Sequence, residues 1–223
     1  MGSPFNPFPI VTILPRLYVI CDAEVCERAG WTMPDYAAAC LDGGATLLQL
    51  RAKRASSGWL LQQTDAIVRR AEACQASVIV NDRADVARLA GAAGVHIGQD
   101  DLTPAAVRAV VGAAAVVGLS THTPAQIARA LTEPISYLAI GPAFGTATKD
   151  TGYEAVGLPA IAHAARQAAP RRLPLVAIGG ITLERAPAVI DAGADSLAII
   201  ADLLSTGDPR ARVAEFLRVL SRV

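Results

Sequence analysis

Short apolar runs rich in β-branched residues and leucine alternate along this chain with alanine-rich helical stretches, and this alternation constrains the fold more than any other feature. The runs are Leu17–Cys21, Thr46–Leu50, Ser77–Val80, Gly94–Ile97, Val116–Leu119, Tyr137–Ile140, Leu175–Ile178 and Ser196–Ile200. Strands separated by helices pair in parallel through right-handed crossovers. Helix starts are marked by Thr32 ahead of Pro34, Thr103 ahead of Pro104 and Thr123 ahead of Pro124, since threonine caps a first turn and proline is tolerated within it. Glycine at 43–44, 91, 112 and 193 marks the stops. Eight strands with about eight helices predict a closed (β/α)8 barrel of the TIM type. An open doubly wound sheet would be favoured by a GxGxxG turn after the first strand, and that turn is absent.

The length of 223 residues suits one such barrel. The expected division is an irregular, proline-rich lead-in over 1–15 and a single barrel domain over 16–223. The chain is 52% apolar, with 20 basic and 20 acidic residues and 4% aromatics. That composition excludes disorder, and it excludes a generic nucleic-acid binder, which needs a basic surplus and stacking aromatics. The longest apolar stretch, Ala109–Leu119, falls short of the roughly 20 residues needed to span a bilayer, so no membrane partner is expected. No basic segment followed by an apolar one marks a secretory signal. The four cysteines (Cys21, Cys26, Cys40, Cys74) lack metal-site spacing, which predicts reduced, packed thiols and a cytoplasmic protein. A homodimer is compatible with the sequence.

Active sites of such barrels lie at the C-terminal ends of the strands, so the residues following each run carry the functional signal. After the second run, Gln49, Arg51 and Lys53 share one face of an extended chain. Charges aimed into a barrel mouth need a partner to offset their desolvation. After the third and fourth runs come Asn81-Asp82-Arg83, Asp85 and His96-Ile97-Gly98-Gln99-Asp100-Asp101. Carboxylates beside an anion site fit a Mg²⁺ held between them and a diphosphate. Asp82 could equally cap a helix or pair with Arg51 or Arg83, and one of Asp100 and Asp101 would be metal-directed. After the fifth run, Ser120 and Thr121 can hydrogen-bond a polar ligand, and His122 is either a proton carrier or an orienting group. The long glycine-punctuated loop after the sixth run carries Thr146, Thr148 and Lys149 and reads as an ordering lid over a phosphate. Gly179-Gly180 after the seventh run and Ile200-Ala201 after the eighth suit a phosphate bound by backbone N–H groups. Two anion subsites on one rim describe a transferase or lyase for two phosphorylated small molecules.

Taken together, Gln49-Leu-Arg-Ala-Lys53, Asn81-Asp-Arg-Ala-Asp85, Val95-His-Ile-Gly-Gln-Asp-Asp101, Gly118-Leu-Ser-Thr-His122, Gly141-Pro-Ala-Phe-Gly-Thr-Ala-Thr-Lys149 and Ala177-Ile-Gly-Gly-Ile181 resemble the thiamine-phosphate synthase family, from Leu17 to about Leu204. The resemblance implies condensation of a hydroxymethylpyrimidine diphosphate with a thiazole phosphate, releasing pyrophosphate. It implies that Gln49, Arg51, Lys53, Asn81, Ser120 and Lys149 hold the pyrimidine diphosphate, with Arg51, Lys53 and Lys149 as the catalytic cations. It further implies that Asp82 and Asp101 ligate Mg²⁺, and that Thr146, Thr148, Gly180, Ile200 and Ala201 take the thiazole phosphate. This chain has Gly145 where the family usually has proline and Ala201 where it usually has serine. Two other readings are a thiazole tautomerase, which needs no diphosphate clamp, and a non-catalytic thiamine-phosphate sensor.

Overall fold

Helix starts fall where threonine and proline put them. The structure, a computed structural model, describes residues 14–145 and 152–222. The Thr32, Thr103 and Thr123 hydroxyls accept the backbone N–H of Asp35, Ala106 and Gln126 at 3.2, 3.3 and 3.3 Å. Each such cap is worth ~1 kcal/mol. They open α2 (Met33–Asp42), α5 (Pro104–Val111) and α6 (Pro124–Ala130). The remaining helices are α1 (Ala23–Arg28), α3 (Ser57–Glu72), α4 (Ala84–Leu89), α7 (Gly157–Ala168), α8 (Ala186–Asp191) and α9 (Pro209–Leu220). Short 3-10 turns cover Ala169–Arg171 and Ala201–Leu204.

The strands are β1 (Leu17–Asp22), β2 (Leu47–Arg51), β3 (Ser77–Asn81), β4 (Gly94–Ile97), β5 (Val116–Thr121), β6 (Tyr137–Ile140), β7 (Leu175–Ile178) and β8 (Ser196–Ile199). They pair in parallel in sequence order, and β8 returns to β1 to close an eight-stranded barrel. This is the (β/α)8 barrel that the sequence predicts. One element was not anticipated: α1, a short helix between β1 and α2, started by Asp22, whose carboxylate accepts the Val25 N–H at 3.1 Å. Of the lead-in assigned to 1–15, only Leu14 and Pro15 lie within the described residues.

Strand side chains alternate, and so two separate apolar layers form. The larger lies between the sheet and the helices and includes Val19, Leu48, Leu50, Ile97 and Phe216. The smaller fills the barrel itself and includes Tyr18, Ile20, Leu47, Ile79, Tyr137 and Ala198. Because the interior is packed rather than hollow, a ligand can enter only at the rim. Among the described residues, no helix is long and apolar enough to cross a membrane.

Candidate active site

The second strand carries Gln49 and Arg51 into the barrel mouth, the turn after it carries Lys53, and each of the three meets a partner there. Gln49 is buried and donates its Nε2–H to the Tyr18 hydroxyl at 2.8 Å. Arg51 pairs with Asp22, the residue opposite it on β1. Asp22 thus does two jobs, capping α1 and holding the guanidinium. Sequence reasoning missed it. The signal was an aspartate directly at the end of the first apolar run, where a carboxylate must face either a helix start or the rim.

Lys53 Nζ lies 2.7 Å from Asp82 Oδ2. Asp82 adopts φ +62°, uncommon for any residue other than glycine, and its backbone N–H donates to the His96 carbonyl at 2.8 Å. The left-handed turn directs its carboxylate toward Lys53 and Asp101 rather than onto the following helix. The helix-cap reading of Asp82 therefore does not hold: α4 has no side-chain cap. Nor does Asp82 pair with Arg83, which binds Asp85 at 2.6–2.9 Å and Ser57 at 3.0 Å outside the mouth. Asp101 Oδ2 accepts the Gly98 N–H at 2.8 Å, and Asp101 is hydrogen-bonded to Asp82. Asp100 is exposed.

Burial pushes the Asp82 carboxyl above its ordinary value, with the neighbouring Asp101 adding to the effect and Lys53 opposing it. Burial alone would raise Asp101 too. The hydrogen bonds from Asp82 and Gly98 and the Lys53 charge outweigh it and hold Asp101 below the usual range. Two neighbouring carboxyls at a half-buried rim repel each other when both are ionised, and Lys53 offsets only part of that repulsion. A divalent cation between them would relieve the rest. Among the described residues no group of three or more His, Cys, Asp or Glu could hold a metal by itself. Two carboxylates at one rim are the donor set that a Mg²⁺-type ion uses when phosphate and water oxygens complete its shell.

Asn81 and Ser120 complete this side. Both line a cavity of about 60 Å³ in the barrel mouth, together with Gln49 and Arg51. It adjoins a larger cavity of about 370 Å³, bordered by Ser120, His122, Gly180, Arg185, Ile200 and Ala201. Thr146, Thr148 and Lys149 lie outside the described residues.

Glycine builds the second half. Gly179 and Gly180 have φ +99° and +62°. A Cβ on Gly179 would stand 2.6 Å from Pro142 Cα, and one on Gly180 would stand 2.7 Å from the Gly145 carbonyl oxygen. The two glycines let the β7 end pass directly under the loop after β6, where Phe144 N–H donates to the Gly179 carbonyl at 3.0 Å. The Arg185 guanidinium lies 4.7 Å from the Phe144 ring centroid and donates to the Gly180 carbonyl at 2.8 Å. Sequence reasoning passed over this cation because it stands beyond the strand end, at the start of α8. His122 shares a hydrogen bond between Nδ1 and the Gly141 carbonyl, which requires the proton on Nδ1. Its ring stacks on Tyr153 at 4.0 Å. These contacts favour an orienting group over a proton carrier.

Residues 17–203 match the model of the family described as thiamine monophosphate synthase. The chain belongs to this family. It is 47% identical over 209 residues to the thiamine-phosphate synthase of Koribacter versatilis, covering 93% of this chain and 96% of that protein. It is 35% identical over 207 residues to the thiamine-phosphate synthase of Azorhizobium caulinodans, covering 93% of each. Among solved structures, thiamine phosphate pyrophosphorylase from Pyrococcus furiosus superposes with a TM-score of 0.82 at 25% identity, over 93% of this chain and 96% of that one. Phosphoribosylanthranilate isomerase from the same organism shares only the barrel, at 14% identity and a TM-score of 0.61. As a member of the thiamine monophosphate synthase family, the chain is an enzyme, a transferase of thiamine biosynthesis.

Proposed function

We propose that this enzyme condenses 4-amino-2-methyl-5-(diphosphooxymethyl)pyrimidine with a thiazole phosphate, giving thiamine phosphate and pyrophosphate. The observation that carries this reading is the Lys53–Asp82–Asp101 cluster beside Arg51, on one rim with the glycine-built cavity. A tautomerase or a hydrolase of one phosphate needs only one of these two halves.

In this reading the bond from the pyrimidine methylene carbon to the diphosphate oxygen breaks, and its electron pair leaves with the diphosphate. The aminopyrimidine ring stabilises the resulting benzylic-type cation, and the thiazole nitrogen lone pair then forms the new C–N bond. No proton has to move for either step, so the reaction does not call for a His–carboxylate dyad among its motifs. Arg51 and Lys53, together with Lys149, would oppose the charge growing on the leaving group, which is where preorganised charge accelerates a reaction most. Asp22 fixes the Arg51 guanidinium for that task. Asp82 and Asp101 would hold Mg²⁺, which when bound adds charge neutralisation at the same oxygens. Gln49, Asn81 and Ser120 would orient the pyrimidine. Gly180, Ile200 and Ala201, with Thr146 and Thr148, would take the thiazole phosphate.

The direct test incubates both substrates with Mg²⁺ and follows pyrophosphate and thiamine phosphate. Equal amounts of the two products are expected. Thiazole isomerisation without pyrophosphate would establish the tautomerase reading instead, and binding without turnover the sensor reading.

A further inference from the structure

The inside of a barrel this small is ordinarily filled by branched aliphatic side chains. Here two tyrosines occupy it. Tyr18 of β1 and Tyr137 of β6 are 1% and 0% exposed. Their rings meet edge to face at 6.0 Å, and their hydroxyls lie 3.0 Å apart. The fold gives up a side chain to seat them: a Cβ on Gly118 of β5 would stand 2.0 Å from Tyr137 Cζ and 2.3 Å from its hydroxyl oxygen. His96 of β4 stacks on the Tyr137 ring at 5.5 Å, with Nδ1 2.8 Å from the Tyr137 hydroxyl and Nε2 2.8 Å from Ser120 Oγ. At the other end Gln49 Nε2 reaches the Tyr18 hydroxyl at 2.8 Å. The result is an unbroken chain, Gln49–Tyr18–Tyr137–His96–Ser120, whose two ends both line the small cavity at the mouth.

The Gln49 amide sets the direction of the chain: with its Nε2–H donating to the Tyr18 oxygen, the Tyr18 proton goes to the Tyr137 oxygen. Tyr137 then gives its own proton to His96 Nδ1. A neutral imidazole that accepts at Nδ1 carries its proton on Nε2, and so donates to Ser120 Oγ. Burial holds both phenols far above their ordinary values, so both keep the protons this requires. At the cavity this order leaves the Gln49 carbonyl oxygen as an acceptor and the Ser120 hydroxyl as a donor. Reversing one inner link alone would set two protons against each other, at a cost of roughly 1–3 kcal/mol, so the links turn together with the Gln49 amide and the His96 tautomer reports which way the whole chain runs.

We propose that Tyr18, Tyr137 and His96 are positioning residues that fix the donor and acceptor ends of Gln49 and Ser120, and thereby select a heteroaromatic ring presenting an amino donor beside a ring-nitrogen acceptor. The 4-oxo counterpart of the same ring presents the opposite pattern, a carbonyl acceptor beside a ring N–H donor. This proposal rests on the reading above that Gln49 and Ser120 face the pyrimidine, and it adds the reason why they reject the oxo ring. Sites that hydrogen-bond a substrate group discriminate strongly against an analogue that cannot return the bond.

Two measurements test it on the full-length enzyme. The first is the ¹⁵N NMR tautomer of His96, identified among three histidines by comparison with His96→Gln. The Nε2–H form is expected in the wild type, with the Nδ1–H form gaining population in Tyr137→Phe, where the hydroxyl that holds Nδ1 as an acceptor is gone. The second is the ratio of kcat/KM for the amino and oxo pyrimidine diphosphates. Tyr137→Phe is expected to lower that preference about tenfold or more, at unchanged KM for the thiazole phosphate. An Nδ1–H tautomer in the wild type overturns the proposal, as does an unchanged amino-to-oxo ratio in a folded Tyr137→Phe. Should Tyr137→Phe not fold, the wild-type tautomer still decides. Should the wild type turn over neither ring, the proposed reaction fails while the tautomer continues to report on the relay.

Discussion

The two halves of the barrel mouth handle anions by different means. On the side of β1 to β4 the work falls to charged side chains, and each is held by another: Arg51 by Asp22, Lys53 by Asp82, Asp82 by Asp101, Asp101 by the Gly98 N–H. On the side of β6 to β8 the described wall is largely backbone, with Gly179 and Gly180 at positive φ under the loop after β6, Ala201 opening a 3-10 turn, and the Arg185 guanidinium held at its edge by the Gly180 carbonyl. The difference follows from what each half would bind. A leaving diphosphate gains charge during the reaction, so side-chain counter-charges held in place and a metal are useful there. A spectator phosphate keeps its charge, and fixed N–H dipoles suffice. Charged side chains gather on the half where the bond would break, while the other half is built chiefly by backbone with Arg185 at its edge.

The largest effect expected from breaking this division is on the charged half. Exhaustive chelation should abolish pyrophosphate release, and activity that survives it would refute the metal role of Asp82 and Asp101. Asp82→Ala and Lys149→Ala should each lower kcat at least ~10²-fold, the usual scale for losing one charge-stabilising group. Wild-type turnover in both would remove the basis for the diphosphate site. Next in size is Gly180→Ala. Its φ of +62° and the 2.7 Å approach of a Cβ to the Gly145 carbonyl force the β7 end away from the loop. The conformation alone costs ~1–2 kcal/mol. Steady-state kinetics should show KM for the thiazole phosphate rising about tenfold, with KM for the pyrimidine diphosphate unchanged. An equal rise in both would show that the halves are not independent.

Asp22→Asn divides the roles more finely. Asparagine caps a helix about as well as aspartate, so α1 and the thermal midpoint should be little changed. Arg51 loses its charge partner but not its own charge. Diphosphate should still bind, so its KM should not rise, while kcat should fall about tenfold because the guanidinium is no longer aimed. A raised KM at unchanged kcat would assign Arg51 to ground-state binding instead.

The contrast between the halves also explains what the sequence could reveal. The eight strands were legible because buried parallel strands read as apolar runs, and three helix starts were legible because Thr and Pro have local mechanisms there. Arg51 at the end of β2 and Lys53 just after it were legible because charges immediately after a buried run have few structural uses. Three features were not. Asp22 sat at the end of the first run, and only strand register shows that it faces Arg51. Arg185 stands beyond the strand end and reaches the rim only through its contacts with Gly180 and Phe144. Tyr18 and Tyr137 looked like ordinary members of apolar runs. They are 119 positions apart, and only closure of the barrel brings their hydroxyls together. Residue type reveals local chemistry, whereas partnership across a barrel depends on register and closure, which no local pattern encodes.

The smallest expected effect tests the glycine half at its least typical residue. Ala201, where the resemblance to the family leads one to expect serine, stands at the start of the 3-10 turn after β8 and on the wall of the larger cavity. Should the thiazole phosphate be held there by backbone N–H groups, a hydroxyl adds little. Ala201→Ser should then lower the thiazole phosphate KM by less than about threefold, below the full worth of a neutral hydrogen bond. A tenfold drop corresponds to about 1.4 kcal/mol, the value of one well-made bond, and would mean that a side chain completes this subsite in relatives that carry serine. The division between a side-chain half and a backbone half would then be particular to this chain rather than a property of the barrel mouth, and Ala201 would mark the position where it arose.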